Sequence, residues 1–304
     1  MFTRKIKKVL KKSSFLRKIG WWAEIHVISQ LVKKKDEYEI RQEIRKRGKG
    51  IQPSLNDCTL QSLKDKHKGE SCFVIGNGPS LRIEDLNKIY ELGIPSFGLN
   101  KINNIYSRTL WRPTYLVVHD HRFLISGDSS IDIEDYVKKV QDDKTQWVFF
   151  RKQMKKCFDQ SIAKKILYFR MPLKNCFQVD PTPIKGDISV QLEDLGTVTT
   201  AAIEIAMYMG FSTIYVYGQD FKYQKYIDID GKYIDDGNVQ EYIEGISYKD
   251  SKYKDDYHDL RKAFRGFKQC REYAESRGIT ILNATHGGNL DVFERIDIDE
   301  ILMK

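Results

Sequence analysis

Short apolar runs alternate with amphipathic stretches along most of this chain. The runs at 71–75, 96–100, 114–118, 147–150, 166–169, 213–217 and 279–282 have strand length and are bounded by polar or turn residues. Between several of them the apolar positions recur at helical spacing. Leu81, Ile83, Leu86, Ile89 and Tyr90 follow the first run, and Ala201 to Met209 precede the sixth. A stretch opening at His258 and running to about Arg277, with Leu260, Phe264, Phe267 and Tyr273 inward, precedes the seventh. Gly210 and Gly278 close the last two stretches. The segment from Leu290 to Leu302 predicts a closing helix. Alternating strands and helices predict an α/β fold with a mostly parallel sheet flanked by helices.

Two stretches break the rhythm. Residues 171–193 carry three prolines and no clear period, which predicts a loop region over the ligand edge of the sheet. Residues 222–257 hold seven tyrosines among acids and lysines, which predicts a lid or insertion at about 222–257.

The first apolar run ends abruptly in Gly76-Asn77-Gly78-Pro79-Ser80-Leu81. A glycine turn at the carboxyl end of a parallel strand is where open α/β sheets place nucleotides. The glycines let a ligand approach the main chain, and Pro79 suits a first helical turn whose amides face a phosphate. An ordinary strand-to-helix turn has the same residues. The full dinucleotide fingerprint and the P-loop are both excluded, because neither a third glycine nor Gly-Lys-Ser/Thr follows.

Charge divides the chain. Residues 1–50 hold 16 Lys/Arg against 5 Asp/Glu, a net of +11 within a total of +9, so the remainder carries −2. We therefore expect a basic helical extension over 1–50 and a near-neutral nucleotide-binding domain over 51–304. A uniformly basic nucleic-acid binder is not expected. Phe2, Ile6, Val9, Leu10, Leu16 and Ile19 lie among lysines and precede Trp21 and Trp22. Such a helix can lie on an anionic membrane, dock on the main domain or form a homo-oligomer contact. No secretory leader or membrane span is expected, and five scattered cysteines fit free thiols. The expected place is the cytoplasm, with peripheral contact on the cytoplasmic face of the membrane.

Further candidates end other strands. Asn100 can bond a base or ribose, or cap a turn. His119-Asp120-His121 can bind a metal, touch a ligand or simply leave the sheet. Thr197, Thr199 and Thr200 can cap a helix and offer hydroxyls. Gly218-Gln219-Asp220-Phe221 closes the sixth strand, and Asn283-Ala284-Thr285 the last.

Three of these elements together carry a resemblance over about residues 70–290. They are Val74 to Leu81, then Thr199-Thr200-Ala201 through Gly210 into Val216 to Phe221, then His258 with its helix into Ile281 to Thr285. Their order and spacing resemble the 6-hydroxymethylpterin diphosphokinase MptE-like domain. They are also similar to the bacterial sialyltransferases of glycosyltransferase family 42 and to the motility-associated flagellin glycosyltransferases. The resemblance implies a Rossmann-like domain. It implies a nucleotide site of Gly76, Asn77, Gly78, Ser80, Asn100, Thr199, Thr200, Gly218, Gln219, Asp220 and Asn283. The family 42 Gly-Ile-Asp-Phe-Tyr is here Gly218-Gln219-Asp220-Phe221-Lys222, so Tyr223 or Tyr226 takes the place of its phosphate-contacting tyrosine.

Two chemistries follow from the resemblance. In glycosyl transfer, His258 is the general base toward the acceptor hydroxyl of a glycan or lipid-linked acceptor. Tyr223 or Tyr226 bonds the departing phosphate of a CMP-linked sugar donor, with no metal. In pyrophosphate transfer from ATP, magnesium would sit on Asp220 and Asp120. A non-catalytic nucleotide-binding protein of an envelope-glycan complex has the same residues. Glycosyl transfer is preferred, because a membrane-seeking basic helix suits an enzyme of lipid-linked glycans.

Overall fold

The computed structural model describes residues 34–119, 133–141, 144–172, 180–237, 242–243 and 258–303. The stretch expected at the membrane up to residue 33, Asp120, His121 and half of the Tyr-rich insertion lie outside these residues.

Among the described residues, eight strands form one sheet. They are β1 (Ser71–Ile75), β2 (Ser96–Leu99), β3 (Tyr115–Val118), β4 (Trp147–Arg151), β5 (Ile166–Phe169), β6 (Thr213–Tyr217), β10 (Thr280–Asn283) and β11 (Glu294–Arg295). The order is β11-β10-β6-β1-β2-β3-β4-β5, and every pairing is parallel. The chain therefore builds outward from β1 to β5, returns to the other side of β1 as β6, and continues to β11. The reversal falls between β1 and β6, where such sheets open a crevice beyond their carboxyl ends. Gly76 and Gly218 are the residues immediately after those two strands.

The sheet is a buried one, and its alternation divides the core in two. Cys72 and Val74 of β1 enter one cluster, while Phe73 and Ile75 enter the other. The first is covered by α5 (Val198–Tyr208) and α6 (Leu260–Glu275), the second by α3 (Ile83–Glu91), α4 (Ile133–Val140) and α7 (Ile298–Leu302). Thr199 to Tyr208 are all buried in α5, which lies against β1, β2, β3 and α6. Its Ala201, Ala202 and Ala206 admit that close approach, and each buried Ile adds roughly 1.5–3 kcal/mol.

Three expectations are corrected. The helix after the glycine turn begins at Ile83, with Arg82 as its cap, so Pro79 lies in the turn and not in the first helical turn. Its positive end already holds Glu84 and Asp85, which meet the need an anion would have met. The closing segment is not one helix. Leu290, Val292 and Phe293 enter the first core, and Ile298, Ile301 and Leu302 the second, so the chain crosses the sheet edge as β11 before α7 starts. Within 171–193, Ile184, Ile188 and Leu192 are buried in the first core, so the described part of the segment contributes to the core and is not only a cover.

The described part of the Tyr-rich insertion contains regular structure. β7 (Lys225–Ile227) pairs antiparallel with β8 (Tyr233–Asp235) and parallel with β9 (His258–Asp259).

The helix over 34–48, α1, is bonded to the domain. Arg47 donates to the Ser189 hydroxyl and carbonyl, both at 2.9 Å, and Lys152 reaches Glu39 at 2.7 Å. Below it, Arg170 holds Asp57 of α2 (Leu55–Ser62) in a forked pair at 2.7 and 3.1 Å. No helix among the described residues is long and apolar enough to cross a membrane.

Candidate functional site

Three loops interlock at the carboxyl ends of β1, β6 and β10. Gly76 N donates to Tyr217 O at 2.7 Å, and Gly78 N to Gly218 O at 2.9 Å. Ser80 Oγ donates to Asp220 Oδ2 at 2.8 Å. From the third loop, Thr285 Oγ1 accepts from Gln219 N at 3.2 Å, and Asn289 N donates to Asp220 O at 2.8 Å.

This interlock explains the glycines. A Cβ on Gly76 would collide with Gly218 O, and one on Gly78 with Asp220 Oδ2. Their open sides are thus filled by the neighbouring loop. Gly218 itself takes a left-handed φ of +66°. Asn100 and Phe221, two non-glycine residues at the same edge, also have positive φ, +46° and +53°. Strain of this kind collects where a site needs a particular orientation.

Asn77 is the polar centre of the first loop. Its Nδ2 donates to Leu99 O at 3.0 Å, and its carbonyl accepts from Ile243 N at 3.0 Å. Its Oδ1 is buried and has no hydrogen-bond partner among the described residues. A buried acceptor left in that state costs about 1–3 kcal/mol. Beside it, Asn100 Oδ1 accepts from His119 N at 3.1 Å, and its carbonyl accepts from the Tyr136 hydroxyl at 2.8 Å.

Other expected nucleotide residues are engaged internally. Thr197 caps α5 by accepting from Thr200 N at 3.2 Å, and fully buried Thr200 returns its hydroxyl to Thr197 O at 2.8 Å. Thr199 Oγ1 donates to Gln219 Oε1 at 2.6 Å. Asn283 is fully buried, with Nδ2 on Leu290 O and Oδ1 accepting from Thr285 N. Thr200 and Asn283 therefore hold the loops from behind, with their side chains bonded inside the fold. Asp220 remains at the crevice, and burial pushes its carboxyl above the ordinary range against the pull of the Ser80 hydrogen bonds and His286. It would be one of the two magnesium carboxylates of the ATP reading, the other, Asp120, lying outside the described residues.

Tyr223, Tyr226 and His258 lie together. The Tyr223 ring stacks on His258 with centroids 4.2 Å apart, and Tyr226 pairs in register with His258. Sequence spacing put His258 at the head of a helix. It lies instead in β9, and Asp259 caps α6 by accepting from Arg261 N at 3.1 Å. Pairing with β7 draws the backbone into strand geometry there.

Two clusters were not legible beforehand. Asp194 is buried at the carboxyl edge and pairs with Lys262 at 2.9 Å. Burial works to raise its carboxyl, yet the charges of Lys262, His119 and Arg151 hold it down at about 2. In the other, the Tyr217 hydroxyl donates to Asp85 at 2.5 Å, and His286 reaches the same carboxylate at 3.1 Å. The only signal for these was an acid on the buried face of a helix and a His before paired glycines.

No protein-family profile matches the chain, and no curated protein matches it in sequence. Among solved structures it is similar to the MAf glycosyltransferase from Magnetospirillum magneticum AMB-1, at 12% identity and a TM-score of 0.47. That match covers 80% of this chain but only 38% of the other. It is also similar to the sialyltransferase CstII from Campylobacter jejuni in complex with cytidine-5'-monophosphate, at 13% identity and a TM-score of 0.40, over 75% of this chain and 85% of that one. The same enzyme with trisaccharide acceptor and CMP gives 14% identity and a TM-score of 0.42, over 75% and 86%. At these identities the chemistry of this chain rests on its own residues.

Proposed function

We propose that this chain is a glycosyltransferase that takes a nucleotide-activated, CMP-linked sugar and extends a bacterial surface glycan. The observation that carries the reading is Asn77 Oδ1, a buried acceptor without a partner among the described residues, in the turn after β1. In this reading the ligand supplies the donor that it lacks. The exocyclic amine of a cytosine or a ribose hydroxyl supplies one, and relief of the unmet bond would add to affinity.

In this reading the nucleotide lies over the interlocked Gly76–Ser80 and Gly218–Asp220 loops, with Asn100 beside its base or ribose. His258 takes the proton of the acceptor hydroxyl, and Tyr223 or Tyr226 bonds the departing phosphate. No metal is needed for either step. The acceptor is a glycan or lipid-linked glycan, and the basic residues of 1–50 bring the enzyme to an anionic membrane.

Thermal-shift measurement against single nucleotides tests the proposal. CMP is expected to raise the melting temperature without added metal. Stabilisation by ATP with magnesium, and none by CMP, would replace glycosyl transfer with pyrophosphate transfer.

A further inference from the structure

His286 follows β10 in the loop Thr285-His286-Gly287-Gly288. Its Nε2 lies 3.1 Å from Asp85 Oδ2, and the same oxygen accepts the Tyr217 hydroxyl at 2.5 Å. The Tyr217 ring meets the imidazole edge to face, with centroids 5.8 Å apart. Tyr217 is fully buried and Asp85 nearly so, so the core sets the carboxylate in place. The Tyr217 oxygen in turn accepts from Arg82 N at 3.0 Å, which leaves its proton for Asp85.

The carboxylate oxygen thus draws two donors, and Nε2 of His286 is the second. The other ring nitrogen, Nδ1, makes no hydrogen bond among the described residues, while the side chain keeps 23% of its surface exposed. A carboxylate on one nitrogen and an open edge on the other is the arrangement by which acid and base histidines are oriented. The remaining charges around the ring are accounted for. Asp220 acts on it from the loop after β6, and Arg295 of β11 is bonded to the carbonyls of Thr285, Gly287 and Gly288.

Position completes the argument. Asp85 and Tyr217 belong to the α3 side of the sheet, whereas Tyr223 and Tyr226, which carry His258, pack against the α6 side. The two histidines are therefore held from opposite faces of the sheet, His258 by residues on the α6 side and His286 by residues on the α3 side. We propose that His286, oriented by Asp85, is the acid of this site, donating from Nδ1 to the phosphate that leaves the donor sugar.

The inference rests on the nucleotide-sugar reading above. The acceptor oxygen bonds the anomeric carbon and gives its proton to His258. The bond from that carbon to the phosphate oxygen breaks, its electron pair stays on the oxygen, and the proton on His286 Nδ1 passes to it. One proton is taken and one delivered, and exchange with water resets both rings. The step starts from the imidazolium, with Nε2 held by Asp85 and Nδ1 carrying the proton that is delivered.

The test is an NMR titration of His286 in the full chain, with and without CMP, beside calorimetry of CMP binding to wild type and His286→Gln. A phosphate at Nδ1 is expected to raise the His286 titration midpoint by about one pH unit and His286→Gln to weaken CMP about tenfold at pH 6. The titration is read on the wild-type chain, so it holds even if the variant folds poorly. CMP that binds while the His286 titration stays put overturns this inference alone. Failure of wild type to bind CMP at any pH overturns the nucleotide-sugar reading and this inference with it.

Discussion

Tyr223 lies almost flat against His258, with 21° between the ring planes and 4.2 Å between centroids. Stacking sets the orientation of the imidazole, and pairing of Tyr226 with His258 sets its place along the strand. His258→Ala is expected to lower the transfer rate by about 100- to 10,000-fold while CMP still binds. Tyr223→Phe keeps the stack and removes only the hydroxyl, so it separates ring support from phosphate bonding. Calorimetry beside product assays measures both, and undiminished turnover in His258→Ala would remove the imidazole from the mechanism.

Gly78 gives a test of the interlocked loops. A methyl group there meets Asp220 Oδ2 and lies 2.7 Å from Gly218 O, which is backbone and cannot swing aside. Gly78→Ala is expected to cost about 1–3 kcal/mol of stability and to lower CMP affinity. Gly48→Ala is the control, since a Cβ there meets nothing within 4 Å and its backbone is not left-handed. Equal CMP affinity in Gly78→Ala and wild type would separate the interlock from binding.

Asp194 sets a pH dependence. Its carboxyl is held at about 2 against an ordinary 3.8, so the folded chain favours the charged form. The contribution, about 2 kcal/mol, is complete above pH 4 and is lost as pH falls toward 2. Chemical denaturation of wild type and Asp194→Asn across that window measures it. The variant is expected to show a shallower fall, and parallel curves would contradict the assignment.

Asp57 anchors α1 and β5 through Arg170, and Arg47 approaches it at 3.9 Å. Burial works to raise this carboxyl, but the Arg170 bonds keep it lowered. Asp57→Ala removes the fork that holds Arg170, while Arg47 keeps Glu43 at 3.1 Å, and is expected to cost about 3–5 kcal/mol. The exposed pair Lys139–Asp135 is expected to contribute under about 1 kcal/mol, so Asp135→Ala is the comparison. Hydrogen exchange over 34–48 should rise in the first variant only.

Strand positions were legible because a sheet buried on both faces needs continuous apolar runs, and Phe73 to Ile75 or Tyr115 to Val118 can be little else. Thr197 was legible as a cap because that bond is made within three residues. The β7–β8 hairpin was not, since Lys225–Ile227 is only partly buried and Tyr233 and Asp235 are exposed, so neither strand has an apolar run. The segment around Leu290 to Leu302 misled for a related reason. Its apolar positions have helical spacing, but they belong to two different cores.

What the sequence alone determined was the alternation of strands and helices, the turn from Gly76 to Ser80 and the grouping of charge before residue 50. Each of these depends on neighbours a few positions apart. Only tertiary structure decided that Gly76 and Gly78 make room for the Gly218–Asp220 loop, that Asn283 and Thr200 face inward, and that Asp85 meets His286 across 201 residues of chain. Those pairings come from strand order, which brings β1, β6 and β10 side by side, and no local pattern encodes it.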